Sequence, residues 1–130
     1  MRVHFVSGHG NLTFEEWLLY YKPLVDTVLL NNEGFIMGDF RGCDVITMEY
    51  LKDKTPNVVV CHCKEKPRYF PETLNMPSSL WQLNGGFLND ADRDVYMTHH
   101  SHADIAWIRQ GREKSGTAKN IKRRLQGVQT

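Results

Sequence analysis

The sequence predicts an α/β fold, a three-layer sandwich with a mainly parallel sheet and helices on both faces. Short apolar runs rich in β-branched residues alternate with segments whose apolar residues recur at helical spacing. The run Val58-Val59-Val60-Cys61 is apolar throughout, which is typical of a central parallel strand covered on both faces. A chain of 130 residues has the length of one domain, so we predict a single domain over residues 1–130.

The first half of the chain predicts three strands with helical segments between them. The strands cover residues 3–6, 35–37 and 58–61. Asn11 or Thr13 can cap the first helical segment, in which Pro23 either causes a kink or separates two shorter helices. The second helix follows the turn at 41–44.

The second half predicts a long irregular segment and then three regular elements. Three prolines exclude a regular helix over most of residues 64–86, although 68–70 and 80–83 could form short extended pieces. The elements that follow are a helix capped by Asn89 or Asp90 and ending near His100, a strand over 103–108, and a final helix that opens at Ser115-Gly116-Thr117.

Charge and cysteine content narrow the range of partners. A formal net charge of +1 argues against nucleic acid, although residues 109–124 contain seven basic residues and one glutamate. This basic segment could serve an anionic ligand or form a solvated helix face. Cys61 and Cys63 are too close for an ordinary disulfide framework, which indicates reduced thiols and a cytoplasmic location. Without an apolar run of ~20 residues or a signal-peptide pattern, we expect no membrane partner.

Three turns that contain glycine separate a predicted strand from a predicted helix, at residues 7–11, 38–44 and 111–117. In a parallel sheet all three lie at the carboxyl ends of the strands, where α/β proteins bind ligands. Glycine lets a backbone approach a ligand closely, and free amides at a helix start attract anions. The third turn also carries hydroxyl donors and positive charges, at Ser115, Thr117, Arg112 and Lys114. Taken alone, each turn could equally be a helix cap.

Several motifs resemble those of the SLOG superfamily. Gly38-Asp39-Phe40-Arg41-Gly42-Cys43-Asp44, followed by Glu49-Tyr50-Leu51, resembles its G-x-x-x-G-x-D junction. Arg93-Asp94-x-x-Met97 resembles its R-N/D-x-x-M helix, and Ala103–Ile108 with Ser115-Gly116-Thr117 resembles its closing AD-x-x-IA…SGT element. That superfamily includes the "lonely guy" cytokinin-activating phosphoribohydrolases, the core of DNA-processing protein A and nucleotide-sensing domains of bacterial and phage conflict systems. The resemblance covers most of the chain and implies a Rossmann-like fold and a nucleotide-related ligand.

By motif position, the resemblance also implies a set of ligand-binding residues. The residues so implied are Ser7, Gly8, His9, Gly38, Gly42, Ser115, Gly116 and Thr117. Asp39 and Lys114, from the same turns, complete the predicted set of ligand-binding residues. The sequence departs from the phosphoribohydrolases at one position. Their catalytic glutamate follows the Gly-Thr pair by three residues, whereas Asn120 stands there in this chain and cannot act as a carboxylate base.

Cleavage of an N-glycosidic bond needs a carboxylate near the anomeric carbon, to stabilise positive charge or to activate water. The available carboxylates are Asp39, Asp44, Glu49 and Asp94. We take Asp44, Glu49 and Arg93 as the candidate catalytic residues. Asp44 could instead begin a helix, and Glu49 could be a surface charge or a partner of Arg93. Arg93 could also form an ion pair with Asp94 or Asp90.

We expect no metal and no cofactor. Cys61-His62-Cys63 and His99-His100-x-His102 contain the ligand types that zinc prefers. However, the chain has no CxxC pair, and the adjacent His99 and His100 would point apart on a helix.

Three functional hypotheses follow from the sequence. In the first, the protein binds the phosphate of a nucleotide or nucleotide-derived ligand and could hydrolyse its N-glycosidic bond. In the second, suggested by Asn120, it is a non-catalytic nucleotide sensor or sequestering protein. The third is a DNA-binding module, which the balanced charge opposes. The sequence also leaves a homo-oligomer open.

Overall fold

The computed structural model describes residues 1–127 and confirms the predicted α/β class. The strands are β1 (Val3–Ser7), β2 (Gly34–Met37), β3 (Val58–Cys61), β4 (Gln82–Asn84) and β5 (Ala103–Ala106). The helices are α1 (Phe14–Tyr20), α2 (Lys22–Leu30), α3 (Cys43–Leu51), α4 (Asp90–His99) and α5 (Gly116–Leu125), with a 3-10 turn at Pro77–Leu80. The last residues of the predicted domain, 128–130, lie outside the described residues.

The five strands form one parallel sheet in the order β4-β3-β2-β1-β5. The chain builds outward from β1 to β4 on one side, and then crosses back to place β5 on the other side of β1. The topological switch point, where the strand order reverses, therefore lies between β1 and β5. In an open α/β sheet, the crevice outside the carboxyl ends of the strands at such a switch point is where ligands bind.

Helices cover both faces of this sheet and complete the three layers. On one face, α1, α2 and α3 bury side chains against the sheet, among them Trp17, Tyr21, Val25, Met48 and Leu51. On the other face, Met97 of α4 packs against Phe5, Ile36 and Cys61, and α5 packs on α4 and β5. Full burial of one large apolar side chain contributes roughly 1.5–3 kcal/mol. Within residues 1–127, no helix has both the length and the apolar character that crossing a bilayer requires.

The helical pattern after β1 is divided into two helices, which is one of the two outcomes predicted for Pro23. Thr13 caps the start of α1 through a capping box. Pro23 lies in the first turn of α2, where the backbone N–H that proline lacks would have no acceptor within the helix. Tyr21 lies buried between them. Its hydroxyl donates to the Ser7 carbonyl at 2.8 Å and accepts from the Trp107 N–H at 3.0 Å. This one side chain therefore joins the end of β1 to the segment after β5.

The last strand is shorter than predicted, because it ends at Ala106 rather than at Ile108. Its neighbour β1 ends level with it, at Ser7, so no strand is left to pair with the next amides. The Trp107 N–H donates to Tyr21 instead.

The long segment between β3 and α4 contains a strand that the sequence did not clearly predict. The piece at 80–83 is the end of the 3-10 turn followed by β4, a short edge strand with largely exposed side chains, and Trp81 buries its ring at that join. The predicted extended piece at 68–70 forms no strand. The N–H of Arg68 donates to the carboxylate of Asp39 at 2.7 Å instead of to a neighbouring strand.

Gly42 holds the turn after β2 against the turn after β1. Its φ of +73° lies in the left-handed region, and a Cβ at this position would lie 2.5 Å from the His9 carbonyl oxygen. The next amide, that of Cys43, donates to the same His9 oxygen at 3.2 Å. Only glycine allows the two backbones to approach this closely, so the two turns share one edge of the sheet.

Gly42→Ala is expected to lower the free energy of unfolding by clearly more than Gly86→Ala does. Gly86 also has a positive φ, +89°, but a Cβ there would meet no atom within 4 Å. The Gly86 variant therefore measures left-handed strain alone, about 1–2 kcal/mol, whereas the Gly42 variant adds a clash with backbone. Denaturant unfolding of both variants measures the difference. Equal losses would show that the close approach at Gly42 contributes nothing.

Candidate functional site

A cleft of about 220 Å³ opens at the carboxyl ends of the strands. All three glycine-containing turns contribute to its lining, together with the first turns of α3, α4 and α5. Nine of the predicted site residues line it, and they are Ser7, Gly8, His9, Gly38, Asp44, Arg93, Ser115, Gly116 and Thr117. The fold thus brings most of the predicted set to one place.

The turn after β1 contributes two buried hydrogen-bonding atoms that lack partners. Among residues 1–127, neither Ser7 Oγ nor His9 Nδ1 has a hydrogen-bond partner, although these residues are only 8% and 2% exposed. The backbone N–H of Arg109 donates to His9 Nε2 at 2.9 Å, so the neutral ring carries its proton on Nδ1. Burial and the nearby Arg112 lower the pKa of His9, which favours that neutral ring. A buried donor without an acceptor costs about 1–3 kcal/mol, which a ligand acceptor would recover.

The start of α5 lies at the cleft with free backbone amides. Ser115 Oγ accepts from the Ala118 N–H at 3.2 Å and so caps the helix. The N–H groups of Gly116 and Thr117 come first in the helix and have no acceptor within it. A Cβ on Gly116 would meet nothing within 4 Å. Arg112 lines the cleft next to this helix start and forms no ion pair within the described part of the chain.

Three carboxyl groups of the described residues line the cleft, the exposed Asp90 and the more enclosed Asp44 of α3 and Asp94 of α4. Asp44 stands in the first turn of α3, and its Oδ2 accepts from the Phe40 N–H at 3.0 Å. Burial raises the pKa of Asp44 to about 7, against the opposing effect of Arg93. Burial also raises the pKa of Asp94, which accepts hydrogen bonds from Arg93 and Asn120. A carboxyl with a pKa near 7 can donate a proton at neutral pH.

Arg93 lies between these carboxyl groups and forms both of the ion pairs proposed from the sequence. Its NH1 lies 2.8 Å from Asp39 and 3.4 Å from Asp90, and its NH2 lies 3.2 Å from Asp94. Gly38 makes room for it, because a Cβ there would lie 2.7 Å from the guanidinium carbon. Only the Nε of this guanidinium lacks a partner within residues 1–127.

Asp39 and Gly42 support the cleft without lining it. Burial would raise the pKa of Asp39, but hydrogen bonds from Arg68 hold it below its usual value. Asp39 Oδ1 also accepts from Arg93 NH1, so two guanidinium groups share this oxygen, while Oδ2 accepts from the backbone N–H of Arg68. Gly42 packs against the backbone of His9.

Two other predicted residues lie away from the cleft. The carboxylate of Glu49, near the end of α3, accepts from Lys52 at 2.8 Å and from the hydroxyl of Tyr69, so it is a paired surface charge and not a partner of Arg93. Lys114 is exposed and does not line the cleft. Arg112, from the same turn, lines it instead.

The cleft lining also includes nine residues outside the predicted set of site residues. They are Phe5, Val6, Gly10, Phe40, Asp90, Asp94, Met97, Arg112 and Asn120. A signal existed for Asn120, because it lies four positions after Gly116 and therefore on the same face of the helix. Asp94 follows Arg93 directly and was already a candidate carboxylate.

Two of the seven basic residues in the segment at 109–124 form ion pairs within the chain. Arg109 pairs with Glu16 at 2.6 Å, and Arg124 pairs with Asp104 at 2.9 Å. The charges of these two residues are neutralised locally, whereas the other five basic residues form no ion pair within residues 1–127. Over residues 1–127, no group of three or more histidine, cysteine, aspartate or glutamate side chains could hold a metal ion.

Asp44→Asn is expected to make the free energy of unfolding less dependent on pH. The unfolded carboxyl ionises near its ordinary pKa of 3.8, whereas the folded carboxyl keeps its proton up to a pKa of about 7. Wild-type stability therefore falls as the pH rises through this range, by about 1.4 kcal/mol for each unit of pKa shift. Denaturant unfolding at several pH values between about 4 and 8 measures the slope.

The matched control is Asp53→Asn, which removes an exposed carboxylate whose hydrogen bond from Lys54 lowers its pKa. This variant should keep the wild-type fall in stability. An unchanged fall in Asp44→Asn would contradict the assignment of a raised pKa to Asp44.

No protein-family model matches this chain, and neither a curated protein nor a solved structure matches it. Similarity to the SLOG superfamily therefore rests on the motifs alone and stays a prediction.

Proposed function

We propose that the protein binds the phosphate of a nucleotide, or of a ligand derived from one, in the cleft. The observation that carries this proposal is that two of the buried atoms without partners in residues 1–127, Ser7 Oγ and His9 Nδ1, belong to residues that line the cleft. Both line the same cleft as the free amides at Gly116 and Thr117. Phosphate oxygens accept hydrogen bonds from such donors, and the positive end of a helix dipole favours their charge. Arg112 adds a cation at the same place.

The arrangement of charge in the cleft supports a ligand with two unlike ends. The donors come from the turns after β1 and β5, whereas the carboxyl groups come from α3 and α4. An anionic group suits the first region, and the hydroxyls of a sugar suit the second, since carboxylates accept hydrogen bonds. The volume of about 220 Å³ is below the roughly 300–1,000 Å³ of sites that enclose a whole drug-sized molecule. We therefore infer that the cleft takes the ribose phosphate and leaves the base outside it.

A second candidate function is hydrolysis of the N-glycosidic bond of that ligand, and the raised pKa of Asp44 supports it. In this reaction Asp44 donates its proton to the nitrogen of the leaving base while the bond from that nitrogen to C1′ breaks. Water then adds its hydroxide to C1′, and its remaining proton returns Asp44 to its starting form. The products are the free base and ribose 5-phosphate.

Two other hypotheses make different predictions. A sensor or sequestering protein would bind the same ligand and release it unchanged. A DNA-binding module would use the basic segment, but the ion pairs of Arg109 and Arg124 leave less free charge for phosphate contacts there.

Gly116→Asp is expected to weaken phosphate binding without loss of stability. The position is open, and an aspartate in the first turn of a helix interacts favourably with the helix dipole. The new carboxylate would nevertheless occupy and repel the anion site. We expect affinity for AMP and ribose 5-phosphate to fall at least about tenfold, or about 1.4 kcal/mol, by titration calorimetry.

Gly116→Asn is the neutral control of similar shape and should bind more tightly than the aspartate variant. Adenosine, which lacks the phosphate, should bind wild type and both variants equally weakly. Equal affinity of the two variants for AMP would contradict a phosphate site at this helix start.

Wild-type protein incubated with nucleoside 5′-monophosphates is expected to release free base and ribose 5-phosphate, which chromatography separates. Asp44→Asn should slow this release by about 100-fold or more, the usual contribution of a general acid, while AMP still binds. If wild type returns the nucleotides unchanged, the protein binds without hydrolysing. If neither AMP nor ribose 5-phosphate binds at all, the phosphate site itself is wrong.

A further inference from the structure

Asn120 is a buried amide whose orientation can be worked out from its neighbours. Arg123 NH1 lies 2.8 Å from Asn120 Oδ1, and a guanidinium can only donate. The oxygen of Asn120 therefore faces Arg123, which leaves its Nδ2 to donate to Asp94 Oδ2 at 3.4 Å. Arg123 NH1 also contacts Thr98 Oγ1 at 3.3 Å, so the chain of contacts is anchored on α4. Asn120 is only 3% exposed, and both its Oδ1 and its Nδ2 have a hydrogen-bond partner.

This chain of contacts holds Asp94 in one position at the wall of the cleft. Its Oδ1 accepts from Arg93 NH2 at 3.2 Å and its Oδ2 accepts from Asn120, so each oxygen has one donor. The side chain of Asp94 keeps 18% of its surface exposed, in contrast to 2% for Asp39. A ligand in the cleft can therefore reach Asp94, but not Asp39.

Asp44 of α3 and Asp94 of α4, two of the carboxyl groups in the cleft lining, have different surroundings. Asp94 is in a direct ion pair with Arg93, which favours its ionised form. Asp44 receives a backbone N–H from Phe40 and, in the described residues, no ion pair. Glycosidic cleavage uses two carboxyl groups in unlike surroundings, and here one is ion-paired while the other has no ion pair within residues 1–127. The unpartnered Ser7 Oγ and His9 Nδ1 in the same cleft indicate independently that a ligand belongs there.

We infer that Asp94 is the carboxylate that stabilises positive charge at C1′ and accepts a proton from the attacking water, and that Asn120 is the residue that positions it. The inference rests on the proposed hydrolysis. As the bond between C1′ and the base breaks, the electron pair leaves with the base nitrogen, which takes the proton of Asp44. Water gives its hydroxide to C1′ and its proton to Asp94. Transfer of that proton to Asp44 restores both carboxyl groups.

The position of the essential carboxylate can be tested by moving it. Asp94→Asn should slow base release from AMP by about 100-fold or more, with affinity for ribose 5-phosphate changed less than about threefold. The double variant Asp94→Asn/Asn120→Asp restores a carboxylate to the pair from the α5 side and should recover part of the lost rate. Asp92→Asn, which removes an exposed carboxylate from the same helix, is the matched control and should behave as wild type.

Asn120→Asp alone tests the positioning role through the pH profile. It places a second carboxyl beside Asp94, among the charged groups Asp44, Asp90, Arg93, Arg112 and Arg123. Two adjacent carboxyls repel each other when both are ionised, which raises the pKa of the second ionisation. The acid limb of the pH profile of kcat should therefore move to higher pH. A purely structural role for Asn120 would lower stability without moving this limb.

The outcomes separate the two levels of the proposal. If ribose 5-phosphate binds and wild type releases base, but Asp94→Asn retains the wild-type rate, this inference is overturned and the proposed function stands. If wild type binds AMP without releasing base, Asp94 has no catalytic role and the phosphate site survives. If ribose 5-phosphate does not bind wild-type protein, the proposed function fails as well.

Discussion

The arrangement around the cleft depends on one buried guanidinium, that of Arg93. It is 5% exposed, and it joins α4 to the end of β2 through its ion pair with Asp39, while a second ion pair holds Asp94 on α4 itself. Asp39 also accepts hydrogen bonds from Arg68, so the same cluster fixes the long segment between β3 and α4 to the end of β2. Loss of one partner from a buried pair of this kind costs on the order of 3–5 kcal/mol, because the other charge is left uncompensated. Arg93 is thus as much a structural element as a candidate for chemistry.

Topology then decides which groups share the cleft. Because β5 returns to the side of β1, the turns after these strands lie together at the switch point. They bring the unpartnered atoms of Ser7 and His9 next to the free amides of Gly116. The helix α4, which precedes β5, covers the other face and carries Asp94 to the same opening. A cleft with donors in one region and carboxyl groups in another follows from this strand order.

Much of the fold was predictable because its signals are local. Strand runs, the capping residues Thr13, Asn89 and Ser115, and the break at Pro23 each depend on a few neighbouring residues. The edge strand β4 gave little signal, since it has only three residues, two of them exposed, and lacks an apolar pattern.

The site was only partly predictable, because its geometry depends on contacts between distant residues. That Asp39 would be enclosed by arginines 29 and 54 positions away could not be inferred from its own turn. The choice between Arg112 and Lys114 depended on the conformation of one loop. Glu49 could have been excluded by distance alone. It lies five residues, about 7.5 Å of helix, beyond Asp44 and hence away from the rim.

The most direct test of the phosphate site is a residue-resolved titration of the protein with ribose 5-phosphate, followed by the backbone amide signals in two-dimensional NMR. We expect saturable shifts concentrated at Gly8, His9, Gly116 and Thr117, with little change at Gly86, which lies in open surroundings away from the cleft lining. Shifts centred elsewhere, or none at millimolar ligand, would contradict a phosphate site at the switch point of the sheet.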